Sequence, residues 1–305
     1  MKHFFEMMFF SPQWYHYPLI VILTPLSLLY GAGMFVRRVL TSQKAFGIPI
    51  VSVGNLIVGG SGKTPFVIAL ASKFEGVTII SRGYGRLSTG LVEVSRKGEI
   101  LVDVEQSGDE PMLMAQSLPN CSVIVSEDRH KAIELAKSSG AKLIILDDGF
   151  NRVEIQKYEI LLEPASIKNY LPFPAGAFRE FWFSRRVADI VLKEERDFQR
   201  VVEIADVTKR MVLLTAISNP QRLDKYLPEN VLAKMYLEDH AYFDKAMILS
   251  YVQQHEASSL LCTSKDKVKL EGIDIPLSEM KLKLTVNNDI IIKIESYIEG
   301  FKRER

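Results

Sequence analysis

Residues 48–65 read IPIVSVGNLIVGGSGKTP, an apolar strand that runs into a glycine-rich turn ending in Gly-Lys-Thr. A loop of this kind presents successive backbone N–H groups at the positive end of a following helix, which makes it a cradle for anions. In such a loop Lys63 reaches the β- and γ-phosphates of a nucleotide, and the hydroxyl of Thr64 binds Mg²⁺. The stretch therefore predicts a phosphate-binding loop between a strand and a helix.

The glycines of this loop depart from the full phosphate-loop pattern at one position. The pattern has glycine five residues before the Gly-Lys pair, where this chain has Ile57. The other glycines supply the backbone freedom instead. A glycine-rich turn with an incidental lysine is the alternative. The predicted nucleotide-binding residues are Gly59, Gly60, Ser61, Gly62, Lys63 and Thr64.

The composition limits the classes of protein to which the chain can belong. Its 305 residues are enough for one large domain or two ordinary ones. With 38 basic and 37 acidic residues, no net field attracts nucleic acid, and we expect no nucleic-acid partner. Cys121 and Cys262 are far apart in sequence, which excludes a disulfide scaffold and is typical of a reducing cytosol. The five histidines form no sequence-local metal motif.

The N-terminal segment is unusually apolar. Residues 7–36 contain no Lys, Arg, Asp or Glu, and the apolar part of this segment, as a helix, would extend about 27 Å, close to the hydrocarbon thickness of a bilayer. Arg37 and Arg38 follow directly, so this end is expected to face the cytoplasm. Pro18 and Pro25 interrupt a straight span. We expect membrane attachment, with a spanning helix, an interfacial helix and a buried core helix as the three alternatives.

From residue 48 onward, continuous Val/Ile/Leu segments alternate with helical segments. Strands that are apolar throughout are typical of a parallel sheet covered by helices on both faces. We therefore predict an α/β fold of the phosphate-loop NTPase type, with a mostly parallel sheet, a smaller α+β second domain and an apolar N-terminal helix. The predicted domains are residues 1–44, 45–216 and 217–305, and the last predicted strand of the main sheet covers residues 211–215.

Two adjacent carboxylates follow one of these apolar strands. Residues 143–146 lead directly into Asp147 and Asp148, at the carboxyl end of a strand, where α/β sheets place their sites. A phosphate loop needs such an acid to hold magnesium. Because Gly149 follows Asp148, a simple turn is the alternative. We predict that both aspartates contribute to a magnesium site.

Further candidate residues lie in three other segments. Asp109 opens a predicted helix, so it is either a helix cap or a group that takes or orients the proton of an acceptor. Arg179 can bind a substrate phosphate through two hydrogen bonds, and Glu180 can join the metal shell; a surface ion pair is the alternative for both. Asp239 and His240 follow an apolar stretch, where a lone histidine is usually structural or exposed. The residues alone leave these roles open.

Taken in order along the chain, these segments resemble the tetraacyldisaccharide 4′-kinases of Gram-negative lipid A synthesis. The resemblance covers nearly the whole chain and depends on the joint pattern rather than on one motif. The segments that carry it are LSLLY at 26–30, VGNL at 53–56, GGSGKTP at 59–65, SRGYGR at 81–86, GDEP at 108–111, DDGF at 147–150, PAG at 174–176, RE at 179–180, ISNP at 217–220, DH at 239–240 and TSKD at 263–266.

The resemblance implies an ATP-dependent kinase that phosphorylates the 4′-hydroxyl of a lipid A disaccharide 1-phosphate, giving lipid IVA. It also implies a membrane-attached enzyme at the cytoplasmic face of the inner membrane, with two lobes that close around the nucleotide. ATP and Mg²⁺ are the expected cofactors, the disaccharide lipid and the inner membrane surface are the expected partners, and no obligate protein partner is expected.

The same resemblance assigns roles to individual side chains. The expected phosphate and metal ligands are Lys63, Thr64, Asp147, Asp148 and Glu180. Asp109 is expected to act on the acceptor hydroxyl, with His240 as its partner from the second lobe. Most of the acceleration is expected from positioning and from neutralisation of charge by Mg²⁺, Lys63 and Arg179.

The chain departs from the family pattern at three places. Asn151 and Arg152 stand where the family usually has Gln-His, Ala241 replaces the second histidine of Asp-His-His, and Ser264 replaces the glutamate of Thr-Glu-Lys-Asp. Any role of the replaced family side chains is therefore lost or taken over by other residues. None of the departures removes Lys63.

Two other functions are compatible with a phosphate loop. One is a membrane-associated NTPase coupled to a protein partner. Such an NTPase usually recognises guanine with the sequence Asn-Lys-x-Asp, which residues 263–266 match only weakly. The other is a membrane-anchored scaffold with a degenerate nucleotide site, which the intact Lys63 and Thr64 argue against. The appearance of phosphate on lipid would distinguish the kinase from the first alternative. Binding of Mg-ATP would distinguish it from the second.

Overall fold

The computed structural model describes residues 2–58, 62–164, 167–217, 220–239, 241–270 and 272–303. Gly59, Gly60, Ser61 and His240, all predicted as site residues, therefore lie outside the described residues. The α-helices are α1 (Lys2–Phe10), α2 (Tyr17–Leu40), α3 (Lys63–Ala71), α4 (Val104–Ser107), α5 (Asp109–Ser117), α6 (Arg129–Ser138), α7 (Lys245–Gln254), α8 (Ser264–Lys267) and α9 (Asn288–Arg303).

The strands alternate with these helices along most of the chain. They are β1 (Ile50–Gly54), β2 (Val77–Ser81), β3 (Val92–Arg96), β4 (Glu99–Ile100), β5 (Ser122–Val125), β6 (Leu143–Asp147), β7 (Tyr158–Glu163), β8 (Ile190–Lys193), β9 (Phe198–Ala205), β10 (Met211–Thr215), β11 (Val231–Tyr236), β12 (Ser259–Thr263) and β13 (Leu277–Val286). The alternation confirms the predicted α/β class.

Two compact units share the chain, and each is built from separate stretches of sequence. The first comprises Met1–Lys63, Gly140–Gln199 and Val286–Arg305, and the second comprises Thr64–Ser139 and Arg200–Thr285. The units are interleaved along the chain, whereas the sequence predicted consecutive domains with a boundary at residue 217.

The first unit contains four parallel strands in the order β6-β1-β7-β8. All five residues of β1 and of β6 are buried, as their continuous apolar sequences predict for strands covered on both faces. Val53 of β1 lies beside Asp147 of β6 in the register of this pair. The carboxyl ends of β1 and β6, where the predicted phosphate loop and the aspartate pair begin, are therefore neighbours.

The second unit contains strands in the order β4-β3-β5-β2 and a five-stranded sheet in the order β11-β10-β12-β13-β9. In the five-stranded sheet β10 pairs in parallel with β11 and with β12. The prediction that Met211–Thr215 belongs to the main sheet is therefore wrong. A strand with five buried residues has the same sequence pattern in either sheet, so local sequence could not distinguish the two.

Helix α2 packs along one side on the first unit and leaves its other side exposed. Its buried residues are Ile20, Ser27 and Gly31, which share one helix face. Ser27 Oγ donates to the carbonyl of Pro172 at 2.5 Å, and a Cβ at Gly31 would lie 2.8 Å from the Phe181 ring. Only 17% of the most apolar window of the helical segment Trp14–Leu40 is buried, so the buried-core alternative is wrong. By length and composition, this segment is sufficient to cross a bilayer.

Candidate active site

Lys63 is the first residue of α3, and polar side chains of the first unit hold its ammonium group. Its Nζ lies 3.2 Å from Oδ1 of Asn55 and 3.3 Å from Oδ1 of Asp148. The Lys63 side chain is 13% exposed, and Asn55, directly after β1, is fully buried. The lysine therefore stands in a fixed position at the carboxyl end of β1, where the sequence predicts phosphate binding.

The aspartate pair occupies a tight turn at the end of β6. Asp147 is the last residue of this strand and is buried. Asp148 has a φ of 54°, and its N–H donates to the carbonyl of Val53 at 2.9 Å. This turn comes close to β1 because Gly54 has no side chain: a Cβ there would lie 2.5 Å from Cβ of Phe150. The residues form a turn, and that turn brings Asp148 to Lys63.

Two cations surround the Asp148 carboxylate. Besides Lys63 at Oδ1, Nη1 of Arg179 donates to Oδ2 at 2.9 Å. Burial by itself raises the pKa of Asp148, but the two cations outweigh burial and hold this pKa below its ordinary value. Asp148 is therefore ionised at neutral pH. Arg179, predicted to bind substrate phosphate, lies in this cluster, and its phosphate role stays a prediction.

Glu180 is paired with an arginine of the N-terminal helix. Arg38 donates from Nε to Oε2 at 2.8 Å and from Nη2 to Oε1 at 2.7 Å, and Glu180 is 1% exposed. The Arg38 guanidinium also lies 4.5 Å from the centroid of the Phe150 ring. Both oxygens of Glu180 thus have a partner within the protein, so the predicted metal role would place a cation against an existing ion pair. That role stays a prediction.

The donor set at the end of β6 fits Mg²⁺. This ion takes oxygen ligands and usually binds one or two carboxylates, with water and substrate phosphates in its other positions. Asp147 and Asp148 are suitable carboxylates, and the predicted role of the Thr64 hydroxyl stays a prediction. Among the residues that the structure describes, no three His, Cys, Asp or Glu side chains form a cluster that could hold a metal by itself. The protein therefore offers part of a magnesium shell.

Asp109, in the second unit, opens α5 and is 4% exposed. Gly108 is the N-cap of this helix and has a φ of 85°, a conformation that favours glycine. Asp109 Oδ1 accepts from the N–H of Glu110 at 3.1 Å. The helix cap is thus the glycine, and the aspartate is held at the helix start with its second oxygen, Oδ2, directed to other groups.

Two lysines approach Oδ2 of Asp109. Nζ of Lys269 lies at 3.2 Å and Nζ of Lys265 at 3.5 Å. Lys265 also lies 3.4 Å from Oε1 of Glu110 and 3.6 Å from Oδ1 of Asp239. Burial lowers the pKa of Lys265, but Glu110, Asp109 and Asp239 outweigh burial and raise this pKa above its ordinary value. Lys265 is therefore a cation at neutral pH, and it links three acidic side chains.

The residues next to His240 lie around the same cluster. Lys269 Nζ donates to the carbonyl of Ala241 at 3.3 Å, and the hydroxyl of Tyr242 donates to the carbonyl of Gly85 at 3.4 Å. Asp109, Tyr242 and Lys269 line a small cleft together with Gly85 and Gly108. Asp239 and Ala241, on either side of His240, thus have contacts in the lysine cluster, whereas His240 itself lies outside the described residues.

A larger cavity, of about 220 Å³, lies at the carboxyl ends of β7 and β8 in the first unit. Leu56, Tyr170 and Trp182 line it, and the two aromatic rings meet edge to face with centroids 5.7 Å apart. Arg185 stacks on Trp182, with its guanidinium carbon 3.7 Å from the ring centroid, and donates to Oε1 of Glu163 at 2.6 Å. Leu56 follows β1, so this cavity adjoins the strand that leads into the phosphate loop.

Several residues of these clusters were missed by sequence reasoning. Asn55 was visible only as part of the family segment VGNL, and Lys265 as part of TSKD. Lys269 lies outside every segment that the sequence singled out. Arg38 was interpreted as a flanking charge of a membrane segment. Because Arg38, Lys265 and Lys269 act through partners distant in sequence, no local pattern could have given their contacts.

Comparison with known proteins identifies a close match along nearly the whole chain. The sequence profile of the family described as tetraacyldisaccharide-1-P 4′-kinase (LpxK) matches residues 19–298. Three bacterial proteins named tetraacyldisaccharide 4′-kinase are similar to this chain. The one from Helicobacter pylori strain HPAG1 is 46% identical over 302 residues, covering 98% of this chain and 96% of that protein. That from Aliarcobacter butzleri is 42% identical, covering 96% of each, and that from Campylobacter jejuni strain NCTC 11168 is 39% identical, covering 97% and 96%.

A solved structure gives the same result. The chain superposes on the "apo" form of LpxK from Aquifex aeolicus in complex with ATP, with a TM-score of 0.77 and 29% identity, over 92% of this chain and 99% of the other. This similarity confirms the predicted fold class, with its mostly parallel sheet, its second sheet and its apolar N-terminal helix. The sequence profile, the relatives and the fold agree, and they show that this chain belongs to the tetraacyldisaccharide 4′-kinase family.

Proposed function

We propose that this protein transfers the γ-phosphoryl group of ATP to the 4′-hydroxyl of a lipid A disaccharide 1-phosphate, giving lipid IVA in lipid A biosynthesis. The observation that carries the proposal is the cluster of Lys63, Asp148 and Arg179 at the ends of β1 and β6, in a chain of this family. The alternative of an NTPase coupled to a protein partner is not favoured, because relatives matched over nearly their full length are named as lipid kinases.

The donor side of the reaction uses the first of the two clusters. Lys63 neutralises charge on the β- and γ-phosphates, as its place at the start of α3 suggests. Arg179 supplies a second cation, and its planar guanidinium suits phosphate oxygens. Mg²⁺, when bound by Asp147 and Asp148, neutralises further phosphate charge. In the protein alone the Asp148 carboxylate balances both cations, so it keeps them in place before the nucleotide binds.

The acceptor side uses Asp109. A carboxylate that orients the acceptor hydroxyl and takes its proton suits phosphoryl transfer, since the attacking oxygen needs positioning more than a strong base. The two lysine neighbours of the buried Asp109 support this role, because their ammonium groups hold the carboxylate in place and favour its ionised form. His240 as the partner of Asp109 remains part of the proposal.

The nucleoside of ATP is proposed to occupy the cavity of about 220 Å³ at the ends of β7 and β8. Ligands of α/β sheets bind outside the carboxyl ends of the strands, and this cavity lies beside the strand that leads into the phosphate loop. Trp182 and Tyr170 offer apolar ring surface for a base, and Arg185 offers hydrogen-bond donors.

The exposed face of α2 is proposed to lie in the cytoplasmic surface of the inner membrane. Val21, Ile22 and Leu29 on that face are each about 70% exposed, and such a row of apolar side chains is costly in water. The opposite face packs on the first unit at Ser27 and Gly31, near the middle of the helix. An interfacial helix is therefore favoured over a spanning one, because lipid cannot surround a helix packed on a globular unit along its length.

One experiment tests the proposed reaction. The purified protein is incubated with γ-labelled ATP, Mg²⁺ and a tetraacyl disaccharide 1-phosphate in mixed micelles, and label is followed in the lipid fraction. We expect one labelled phosphate to be added to each lipid molecule. This label should resist a phosphatase that removes only the 1-phosphate. Hydrolysis of ATP without labelled lipid would support the alternative NTPase and exclude the kinase.

A further inference from the structure

The Asp109 carboxylate is only 4% exposed, and both of its oxygens have partners in the described part of the chain. Its Oδ1 accepts one backbone hydrogen bond, from Glu110, and its Oδ2 faces the ammonium groups of Lys269 and Lys265. A buried carboxyl group without nearby cations favours its neutral form. These two lysines therefore favour the ionised form that the proposed reaction needs.

The two lysines differ in what they contact. Lys265 is shared among three carboxylates, those of Asp109, Glu110 and Asp239, so its charge is divided. Lys269 is nearer to Asp109, at 3.2 Å, and its side chain is only 6% exposed. In the described part of the chain, no second carboxylate oxygen lies within salt-bridge distance of its Nζ. Its ammonium group also donates a hydrogen bond to the carbonyl of Ala241 and lies 5.3 Å from the centroid of the Phe243 ring.

Lys269 thus connects two segments that are about 130 residues apart in sequence, the start of α5 and the stretch that follows His240. One ammonium group both faces the Asp109 carboxylate and fixes the backbone of Ala241. An ion pair buried to this degree costs desolvation, so stability alone is a weak reason for it. A role in positioning explains why this cation is directed at this carboxylate.

We propose that Lys269 is a positioning residue for phosphoryl transfer: its ammonium group keeps the Asp109 carboxylate ionised and in place, and it ties the backbone beside His240 to that carboxylate. The inference rests on the proposed function, in which Asp109 acts on the acceptor hydroxyl. Lys269 itself does not touch the reacting atoms in this proposal. The charged and titratable groups around the cluster are Lys265, Lys269, Glu110, Asp239, Tyr242, Glu105 and Asp103.

The test compares Lys269→Met and Lys269→Arg with a matched control, Lys267→Met. Lys267 lies two residues away and its Nζ contacts Oε2 of Glu279 at 2.6 Å rather than Asp109. We expect Lys269→Met to lower kcat by 10- to 100-fold, on the order expected for a misplaced catalytic group, and to move the acidic limb of the kcat profile upward by about one pH unit. The affinity for Mg-ATP should stay within about twofold. Lys269→Arg should restore most of kcat and the position of the acidic limb, and Lys267→Met should match the wild type.

A double variant separates positioning from general loss of stability. If Lys269 acts through Asp109, Lys269→Met should cause no further loss of kcat in an Asp109→Asn background. The comparison of Asp109→Asn with the double variant remains possible if Lys269→Met alone does not fold. The double variant removes the charges of both Asp109 and Lys269, so neither is left buried without the other. A further loss of kcat in the double variant, or a Lys269→Met enzyme with wild-type kcat and pH profile, would overturn the inference.

A readout that does not need lipid kinase activity distinguishes this inference from the proposed function. Aspartate side-chain carboxyl carbons are labelled with ¹³C, and the Asp109 signal is identified by its absence in Asp109→Asn. Lys269→Met should shift the Asp109 titration to higher pH, and Lys267→Met should not. If the wild type does not phosphorylate lipid, the proposed function fails, while an unshifted Asp109 titration in Lys269→Met contradicts the role of Lys269.

Discussion

Arg38 and Glu180 form a two-point ion pair between the end of α2 and the loop that carries Arg179. Its hydrogen bonds measure 2.8 and 2.7 Å, and Arg38 also donates from Nη2 to the carbonyl of Phe150 at 3.1 Å. Phe150 belongs to the turn that begins with the aspartate pair. The helix proposed to contact lipid is therefore bonded directly to the turn proposed to hold magnesium. One guanidinium thus bonds the end of α2 to both Glu180 and the turn that contains Phe150.

The Arg38 ion pair gives the first prediction, which compares Arg38→Met with Arg37→Met. Removal of Arg38 leaves Glu180 buried without its counter-charge, and we expect the free energy of unfolding to fall by about 3–5 kcal/mol. Arg37 is 44% exposed and lies 3.6 Å from Glu154, so its loss should cost less than about 1 kcal/mol. Urea denaturation followed by tryptophan fluorescence measures both. Equal effects of the two substitutions would show that the Arg38 pair has no special structural role.

Lys63→Ala is expected to leave a folded protein with kcat lowered by at least about 100-fold, because a cation at the transferring phosphoryl group is lost. Lys73→Ala is the matched control, since Lys73 follows the same helix and is exposed. Thermal melting should show both variants folded. A Lys63→Ala enzyme with near wild-type turnover would contradict the assignment of the phosphate loop.

Asp109 and His240 are predicted to act as one unit. Residues that act together lose activity non-additively, so the Asp109→Ala/His240→Ala double variant should be little worse than the poorer single variant. Each single substitution should lower kcat by about 10²–10⁴-fold and leave Mg-ATP binding unchanged. Steady-state kinetics with saturating lipid measures the four enzymes. Losses that multiply in the double variant argue for independent roles.

Glu279 gives a prediction about acid stability. Burial raises its pKa, but hydrogen bonds from Lys267 at 2.6 Å and Ser264 at 2.8 Å outweigh burial, and the pKa lies below its ordinary value. A lowered folded-state pKa means that this carboxylate stabilises the protein above the unfolded value of about 4.3 and loses that effect as pH falls further. Glu279→Gln should therefore cost about 1 kcal/mol at pH 7 and pH 5, and much less at pH 3.5. Denaturant unfolding at the three pH values tests this; a difference that grows towards acid would contradict it.

The exposed face of α2 gives a prediction about membrane binding. Ile22→Asp and Leu29→Asp place charge on the face proposed to meet lipid, so each should reduce binding to anionic vesicles by at least about 10-fold. Leu232→Asp is the matched control, because Leu232 is an exposed leucine of β11 in the five-stranded sheet. The α2 variants should raise the apparent KM for lipid in vesicles without changing Mg-ATP affinity. Unchanged vesicle binding would show that this face is not the lipid contact.

The predictable part of the fold followed from patterns that are local in the chain. The continuous apolar runs of β1 and β6 predicted buried parallel strands, and both are buried throughout. Met211–Thr215 was assigned to the wrong sheet, because burial on both faces gives the same run of apolar residues in any sheet. The interleaved units were likewise invisible, since no composition change marks where the chain leaves one unit for the other.

For the candidate site, the sequence by itself determined which chemical groups are present: the Gly-Lys-Thr turn, the aspartate pair after an apolar strand, and Asp109 at the start of a helix. These are set by neighbouring residues and by strand and helix geometry, which act over a few positions. Only the tertiary structure decided the partners, which are Arg38 for Glu180, Arg179 for Asp148 and Lys269 for Asp109. Such charge pairs depend on distances in space between segments far apart in sequence, and Coulomb energy has no period along the chain that a reader of the sequence could detect.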